Sequence, residues 1–475
     1  MKERKLSRRD FLLLSGGAAA GTVLAACQPQ VVEKTVEVPV EVTKIVTEVE
    51  EVEVPVEVEV TAVPPPQEPV TIRFIATAPE HYYNIDAFSE QHPLIDCEFE
   101  DIGDANFEAV VLTSVAGGDP PELAWASGTK LWRFAQAGAV TDITPLMEAS
   151  PHGELDQIDP TAIAQYNSPD YFPKGQVMMA PGQYGWPVYA TAWVTIFNKR
   201  ILDDAGVDYP ERGWTWDDCR ATLQAVNDPD NGVWGMVMPS SATGDTPVFV
   251  HNLLWTNGGD VYDAEGNCAL DSPEAVETLK FLQDLVVVDK SVLLSGATEG
   301  VAFLGANVAF QFWGMWILGW YDFEMEDAYG IVPVPIKAKD AVWGGIDGFT
   351  FLSGSANPWA GWELAKWMSS FEYEGGPGGQ KVLNDEDEAE VISVNAKARA
   401  GAYVNANFSV PEEAADWFPG WLFDNTRYDP WIPTGPGFNY WTAYDGIWAG
   451  DSVEDTLAQI AETIDSLNAG AMKFS

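Results

Sequence analysis

Side chains able to do chemistry are scarce in this chain, apart from acids and indoles. The four histidines, at 81, 92, 152 and 251, show no HExxH or other paired spacing. The four cysteines, at 27, 97, 219 and 268, form no CxxC pair. Zinc, haem and iron–sulfur sites need such spacings, so neither a metal nor another cofactor is expected. A serine-hydrolase G-x-S-x-G elbow and a phosphate-binding P-loop are both absent. DPDNG (228–232) and DAEGN (263–267) carry acids without calcium-loop spacing and read as glycine-bearing turns. A glycosidase needs two carboxylates about 5–9.5 Å apart across a cleft. With 72 Asp and Glu some such pair always exists, so their number decides nothing. The tryptophans are more informative, because all 20 lie at or beyond Trp125. An indole offers a large flat area with few rotatable bonds. It suits the apolar C–H face of a pyranose, whose hydroxyl rim then needs planar groups such as Asp, Asn and Glu. Most of the indoles are expected in the core: Trp359, Trp362 and Trp367 share a helix, and Trp214 and Trp216 flank a helix cap.

Holding such groups in place takes a folded body, and the composition provides one. A chain of 475 residues has room for two or three domains. Hydrophobic residues at 46% and aromatics at 12% exclude disorder. The net charge of −47, from 25 basic and 72 acidic groups, excludes a nucleic-acid partner. It equally opposes peripheral docking on anionic lipid.

The first residues read as an address. Lys2, Arg4, Lys5, Arg8 and Arg9 precede an apolar stretch from Phe11 to Ala26. That stretch is too short for a spanning helix. Ser7-Arg8-Arg9-Asp10-Phe11-Leu12 resembles the core of twin-arginine export signals. Leu24-Ala25-Ala26-Cys27 resembles a bacterial lipobox. The resemblance implies a signal peptide over 1–26, cut before Cys27, with lipid on the Cys27 sulfur. Three other thiols allow at most one internal disulfide. Residues 27–68 then form an acidic Val/Glu/Pro stalk. VEVPVEV occurs at 36–42 and again at 52–58, and Pro64-Pro65-Pro66 closes the segment. Its ten glutamates and two lysines over 28–68 make it self-repelling and extended. A small oligomerising β or coiled segment is the competing reading, but the 16-residue offset sustains no heptad.

From residue 69 the pattern is α/β. VTIRFIAT (70–77) alternates and is rich in β-branched residues, so it reads as a strand. A helix near 81–91, a strand near 95–101 and a third strand at 122–127 follow. Thr215-x-x-Asp218 and Ser452-x-x-Asp455 are capping boxes, and Ser272-Pro273 and Asn357-Pro358 mark helix starts. After Asn357 one helix face is expected to carry Ala360, Leu364, Trp367, Met368 and Phe371. After Ser452 one face should carry Leu457, Ile460, Ile464 and Leu467. Strands alternating with helices predict parallel sheets.

Seven landmarks in order over 69–475 resemble the extracellular substrate-binding proteins of ABC importers, in particular the sugar-type group that includes maltose-binding protein. They are FSEQHPLIDCEFE (88–100), AGGDPPELAWAS (116–127), FAQAGAVTDITPL (134–146), TIFNKRILDDAGVD (195–208) with WTWDD (214–218), LLWTNGGDVYDAEG (253–266), FWGMWILGWY (312–321), and GGIDGFTFLSGSANPWAGWELAKWM (344–368). The LLWTNGGDVYDAEG landmark matches the family's N-G-G hairpin. The resemblance implies a two-lobed periplasmic-binding-protein-like α/β fold with a central hinge and an interlobe ligand cleft. It places lobe one at 69–187 plus 339–392, and lobe two at 188–338 plus 393–475. It implies ligand contacts from Trp316 in the G-x-W landmark, with Trp313 beside it, and from Gly344, Gly345 and Asp347. Ser127, Gly128 and Thr129 follow strand three, where the family often has an aspartate that is absent here. Glu80, His81 and Tyr82, after strand one, are candidates to replace that acid. Tyr189 falls at the first crossing, and Trp255 and Asn257 precede the double glycine. Tyr440 and Trp441 fall near a C-terminal family aromatic that faces sugar.

The function so implied is carbohydrate capture without turnover, with delivery to the transmembrane subunits of an ABC importer. The protein would be a monomer, extracytoplasmic and lipid-anchored to the cell membrane. Two alternatives stay open at this point: a receptor of the same fold for a polyamine or other cation, which the net charge would attract, and a secreted glycan-active enzyme.

Overall fold

The computed structural model describes residues 68–77, 83, 85–168, 170, 179–239, 246–295, 301–305, 307–325, 328–385, 392–397, 425–427, 432 and 438–471. The leader with Cys27, the stalk, and Glu80, His81 and Tyr82 lie outside the described residues, as do the side chains of Thr129 and Trp441.

Strand and helix alternate from the start of the body. β1 (Val70–Ala76), α1 (Ile85–Gln91), β2 (Ile95–Asp101), α2 (Asp104–Gly117), β3 (Leu123–Ser127) and α3 (Gly128–Gln136) follow in order. Then comes β4 (Gly185–Asn198), 14 residues long and buried along all but its last position. After it run α4 (Trp216–Val226), β5 (Trp234–Pro239), α5 (Thr246–Thr256), α6 (Pro273–Gln283), β6 (Val292–Ser295), β7 (Val308–Gly314), α7 (Leu318–Met325) and β8 (Tyr329–Val332). The chain returns through β9 (Val342–Phe351) and α8 (Pro358–Ser369). It continues through the short β10 (Ile392–Ser393) and β11 (Thr426–Arg427) to α9 (Val453–Ala471).

Among the described residues the main sheet has 11 strands, with the order β2-β1-β3-β9-β4-β7-β5-β6 along its path. Along that path parallel pairing holds only at the two ends, and off it the short β11 runs parallel to β9. β1 runs parallel to β2 and β3, and β5 runs parallel to β6 and β7. In the middle, β9 is antiparallel to β3 and β4, and β4 is antiparallel to β7. The cause is the length of β4. Its residues 185–192 pair with β9 and its residues 193–197 with β7, so one strand belongs to two half-sheets. A strand enclosed on both faces reads as a nearly continuous apolar run, as GWPVYATAWVTIF does.

Local signals explain most boundaries. Thr215 and Asp218 bond reciprocally at the start of α4, and the Ser272 hydroxyl accepts the Ala275 N–H at the start of α6. One expectation is corrected. Asn357 makes no side-chain cap, and its backbone N–H goes instead to Glu122 Oε1 at 3.2 Å. Asn257-Gly258-Gly259 is the stop of α5, where the Asn257 N–H still bonds the Leu253 carbonyl, and the hairpin of this landmark follows it at 261–269, where Tyr262 pairs antiparallel with Cys268. Asp263 Oδ1 accepts the backbone N–H groups of Glu265 and Asn267, so its carboxylate closes its own turn. Burial pushes the Cys268 thiol up to about 12 and that of Cys219 higher still.

The helix α8 departs most from its pattern. Periodicity gives it one apolar face, yet all residues from 360 to 369 are buried. Its polar side therefore meets partners inside the protein. Lys366 Nζ lies 2.6 Å from Glu363 Oε1 and 2.7 Å from Ser150 Oγ, and Tyr373 OH donates to Glu363. Next to them His152 stacks on Trp186, with ring centroids 5.3 Å apart. Its Nδ1 accepts the Glu154 N–H at 3.0 Å, which leaves the proton on Nε2, 3.0 Å from Ser369 Oγ. Burial is the main cause that lowers the His152 pKa to about 4, and Lys366 adds to it.

A depressed histidine pKa contributes stability above its ordinary value near 6.5, and that stability is lost as pH falls through the folded value. Between pH 7 and pH 4.5 this group should remove about 2–3 kcal/mol from the unfolding free energy. Denaturant unfolding of the wild type and His152→Gln at the two pH values checks this. The variant should lose about that much less on acidification, and equal losses would reject the assignment.

Candidate functional site

The point where β4 changes partner gathers most of the informative side chains. Side chains two apart on a strand share a face. Tyr189, Thr191 and Trp193 therefore lie in a row on β4. Directly opposite them stand Asp347, Gly345 and Gly314, respectively. Asp347 in turn pairs with Ser127 at the end of β3. One continuous face thus runs from Ser127 and Asp347, through Tyr189 and Thr191, to Trp193.

Two glycines make this face flat. A Cβ on Gly314 would come within 1.9 Å of the Trp316 ring, and one on Gly345 within 2.6 Å of Trp343 Cη2. Each indole lies across the backbone of a glycine, in space that any side chain would fill. Trp343 stands 6.3 Å from Trp316 and 6.5 Å from Trp193 by ring centroids, close to perpendicular to both. Trp313 packs on Trp193 at 5.2 Å. Trp193 and Trp313 are buried, while Trp316 and Trp343 keep part of their surface open.

Gly314→Ala should force the Trp316 indole off its seat. Ligand affinity is expected to fall about tenfold or more, while the fold survives, since a surface-side ring can swing outward. Calorimetric titration together with a melting curve checks this. Unchanged affinity would mean that the position of Trp316 does not matter.

Two polar atoms along this face, Thr191 Oγ1 and Trp193 Nε1, are buried without a protein partner, and so is Nε1 of Trp313, which pairs with Val194 and packs its ring against Trp193. Buried polar groups are nearly always bonded, and leaving one unmet costs about 1–3 kcal/mol. Such groups are ones that water or a ligand can complete. At the other end of the face, Trp125 is half-buried and packs at 5.7 Å on Tyr189. Ser127 is the N-cap residue of α3 but makes no side-chain cap bond there. Asp347 brings a carboxylate opposite Ser127 from the neighbouring strand.

The structure brings together Ser127, Tyr189, Trp313, Trp316, Gly345 and Asp347 from the residues expected in the site. Gly344, paired with Ala192, falls on the opposite face from Gly345. Three others are interior. Trp255 is 0% exposed, with its Nε1 bonded to Asp260 Oδ1 and the Arg427 guanidinium 5.8 Å above its ring. Asn257 is buried and ties α5 to α6 through the Glu274 carbonyl and Glu277. Tyr440 is buried, with its hydroxyl 2.6 Å from His251 Nε2 and 2.7 Å from Tyr444 OH. Sequence reasoning passed over Thr191, Trp193 and Trp343. Trp343 directly precedes the double glycine, and Trp193 sits in the long apolar run of β4, so both signals were present.

Among the described residues no three His, Cys, Asp or Glu side chains are grouped to hold a metal ion. Among the same residues no helix is long and apolar enough to cross a membrane.

Comparison with known proteins is consistent with this geometry. Residues 77–375 match the model of the bacterial extracellular solute-binding protein family. An arabinooligosaccharide-binding protein of Halalkalibacterium halodurans is 31% identical over 237 residues, 48% of this chain and 48% of the relative. A maltotriose-binding protein of Pyrococcus abyssi is 23% identical over 288 residues, 58% of this chain and 56% of the relative. The chain thus spans about half the length of these curated relatives. Among solved structures, an ABC substrate-binding protein of Listeria monocytogenes in complex with cycloalternan is similar with a TM-score of 0.70 at 20% identity. That match covers 84% of this chain and 99% of the other, and it shows the two-lobed fold.

Proposed function

Because the chain belongs to the bacterial extracellular solute-binding proteins, we propose that it captures a carbohydrate, an oligosaccharide, between two lobes and hands it to an ABC importer. The observation that carries this reading is the single face with two chemistries. Its aromatic half offers the Trp316 and Trp343 indoles to apolar ring faces. Its polar half carries Ser127, Asp347 and the buried Tyr189, with unmet buried groups between the halves. A sugar is amphipathic in the same way. A polyamine would need several carboxylates, and of the residues named on this face only Asp347 is acidic. The named relatives that bind arabinooligosaccharide and maltotriose support the same class. We assign no turnover.

The lobes we propose meet along β4 and β9. The change of partner between Ala192 and Trp193 supports a first boundary there rather than at 187/188. The segment at 392–397 supports a lobe-one assignment for itself, since β10 pairs with β4 at Ala190 and Tyr189, and Lys397 and Asn395 both bond Glu154.

Calorimetric titration of the purified protein with maltotriose and arabinotriose tests the reading. One of them should bind without added metal and be recovered intact. Absence of binding to any neutral oligosaccharide, or hydrolysis of the sugar, would overturn it.

The same proposal takes the leader as a twin-arginine lipoprotein signal, Cys27 as the lipid anchor, the acidic segment to residue 68 as the stalk, and the protein as a monomer. Cys27→Ser should move the protein from the membrane fraction to the soluble fraction or block its processing. A wild-type protein that fractionates as soluble and unacylated would reject the anchor.

A further inference from the structure

We propose that Asn252 is a positioning residue for the aromatic half of the site, holding the Trp343 indole in place from inside the protein. This deepens the carbohydrate reading and rests on it for its binding arm. Asn252 lies within α5 and is 0% exposed. Asparagine is a poor residue for a helix interior, and a buried amide must find partners for both its ends. Here Oδ1 accepts the backbone N–H of Trp343 at 2.7 Å, and Nδ2 donates to the Val248 carbonyl one turn back at 2.9 Å. Only one orientation of the amide satisfies both bonds.

The bond falls at the second residue of β9. The Trp343 N–H goes to a helix side chain, and the paired ladder with β4 begins only at Gly344. On its other flank Trp343 is opposite Arg427 of β11, and Arg427 forms an ion pair with Asp260 and lies over Trp255. Trp255 is three positions beyond Asn252, hence on the same side of α5. Two residues further along β9, Gly345 supplies the seat on which the indole rests. The direction of the Trp343 side chain is therefore set by its backbone, and α5 holds that backbone through Asn252. None of this requires Asn252 to touch a ligand.

The experiment uses the purified protein and Asn252→Leu, which keeps the volume and removes both bonds. Maltotriose and arabinotriose are the probes. Asn252→Leu should weaken binding of whichever sugar the wild type takes by up to about tenfold, the scale of re-ordering one side chain on binding. Trp343→Ala should weaken it further, and adding Asn252→Leu to Trp343→Ala should change nothing more, because one residue acts through the other. Far-ultraviolet circular dichroism, across the strong indole transition, gives a readout without ligand. Indoles about 6 Å apart and nearly perpendicular couple as excitons, and Asn252→Leu should lose the same couplet as Trp343→Ala. A folded Asn252→Leu protein that keeps both the couplet and the affinity would overturn the proposal, as would additive losses in the double variant. If neither sugar binds the wild type, the carbohydrate reading fails and the couplet alone decides Asn252. Should the leucine prevent folding, Asn252→Ser, whose short side chain cannot reach Trp343, is read in the same way.

Discussion

Trp316→Ala should lower sugar affinity about 30- to 1,000-fold while leaving the protein folded. The indole lies across Gly314, stands edge-on to Trp343 at 6.3 Å, and keeps part of its surface open. Removing it takes away the platform for one ring of the ligand. An aromatic anchor at the centre of an interface is worth about 2–4 kcal/mol, which sets that range. The loss in stability should be smaller than the roughly 3–5 kcal/mol of a core tryptophan, because the open side leaves no sealed cavity. Trp362→Ala is the control. That ring is buried against Trp186, and its Nε1 bonds the Ser150 carbonyl. Titration and melting on the same preparations separate the two residues. A folded Trp316→Ala protein with unchanged affinity would reject the platform.

Lys366→Met should destabilise the protein by about 3–5 kcal/mol. Glu363 is 4% exposed and its Oε1 rests on Lys366 Nζ at 2.6 Å. Removing the ammonium strands a carboxylate away from water, and breaking one side of a buried pair is costly for that reason. The Tyr373 hydroxyl that donates to Glu363 does not replace the missing charge. Burial, with Glu363 beside it, already holds the Tyr373 hydroxyl well above the usual tyrosine range. Changing both partners, Glu363→Gln with Lys366→Met, should recover most of the loss. Denaturant midpoints of the two single variants and the double variant measure this. A single variant within about 1 kcal/mol of the wild type would show that the pair is not enclosed as described.

Much of the architecture was legible in the chain because it depends on neighbours in sequence. The alternation of β1, the caps at Thr215 and Ser272, and the placement of β2 and β3 all follow from local periodicity and side-chain-to-backbone bonds. The G-x-W and double-glycine landmarks also pointed to Trp316, Gly345 and Asp347 as residues of one site. Glycine is needed where an indole lies on the backbone, and that need is written in the residue type itself.

What the chain alone left undecided concerns groups distant in sequence. Trp255 and Trp316 are the same residue type in similar landmarks. One is enclosed by Asp260, Arg427 and His251, and the other opens onto the face beside Trp343. Local pattern cannot separate them, because burial is decided by what packs from elsewhere. The all-round burial of α8 has the same origin, since its polar side is satisfied by Ser150 and Tyr373 from other segments. Composition and periodicity determined that this is an α/β chain rich in indole and acid. Only the tertiary structure decided which indoles stay available, because the partner change along β4 brings Thr191, Trp193, Gly314, Trp343 and Gly345 into one place. That placement depends on strand register between segments more than a hundred residues apart, which no local preference encodes.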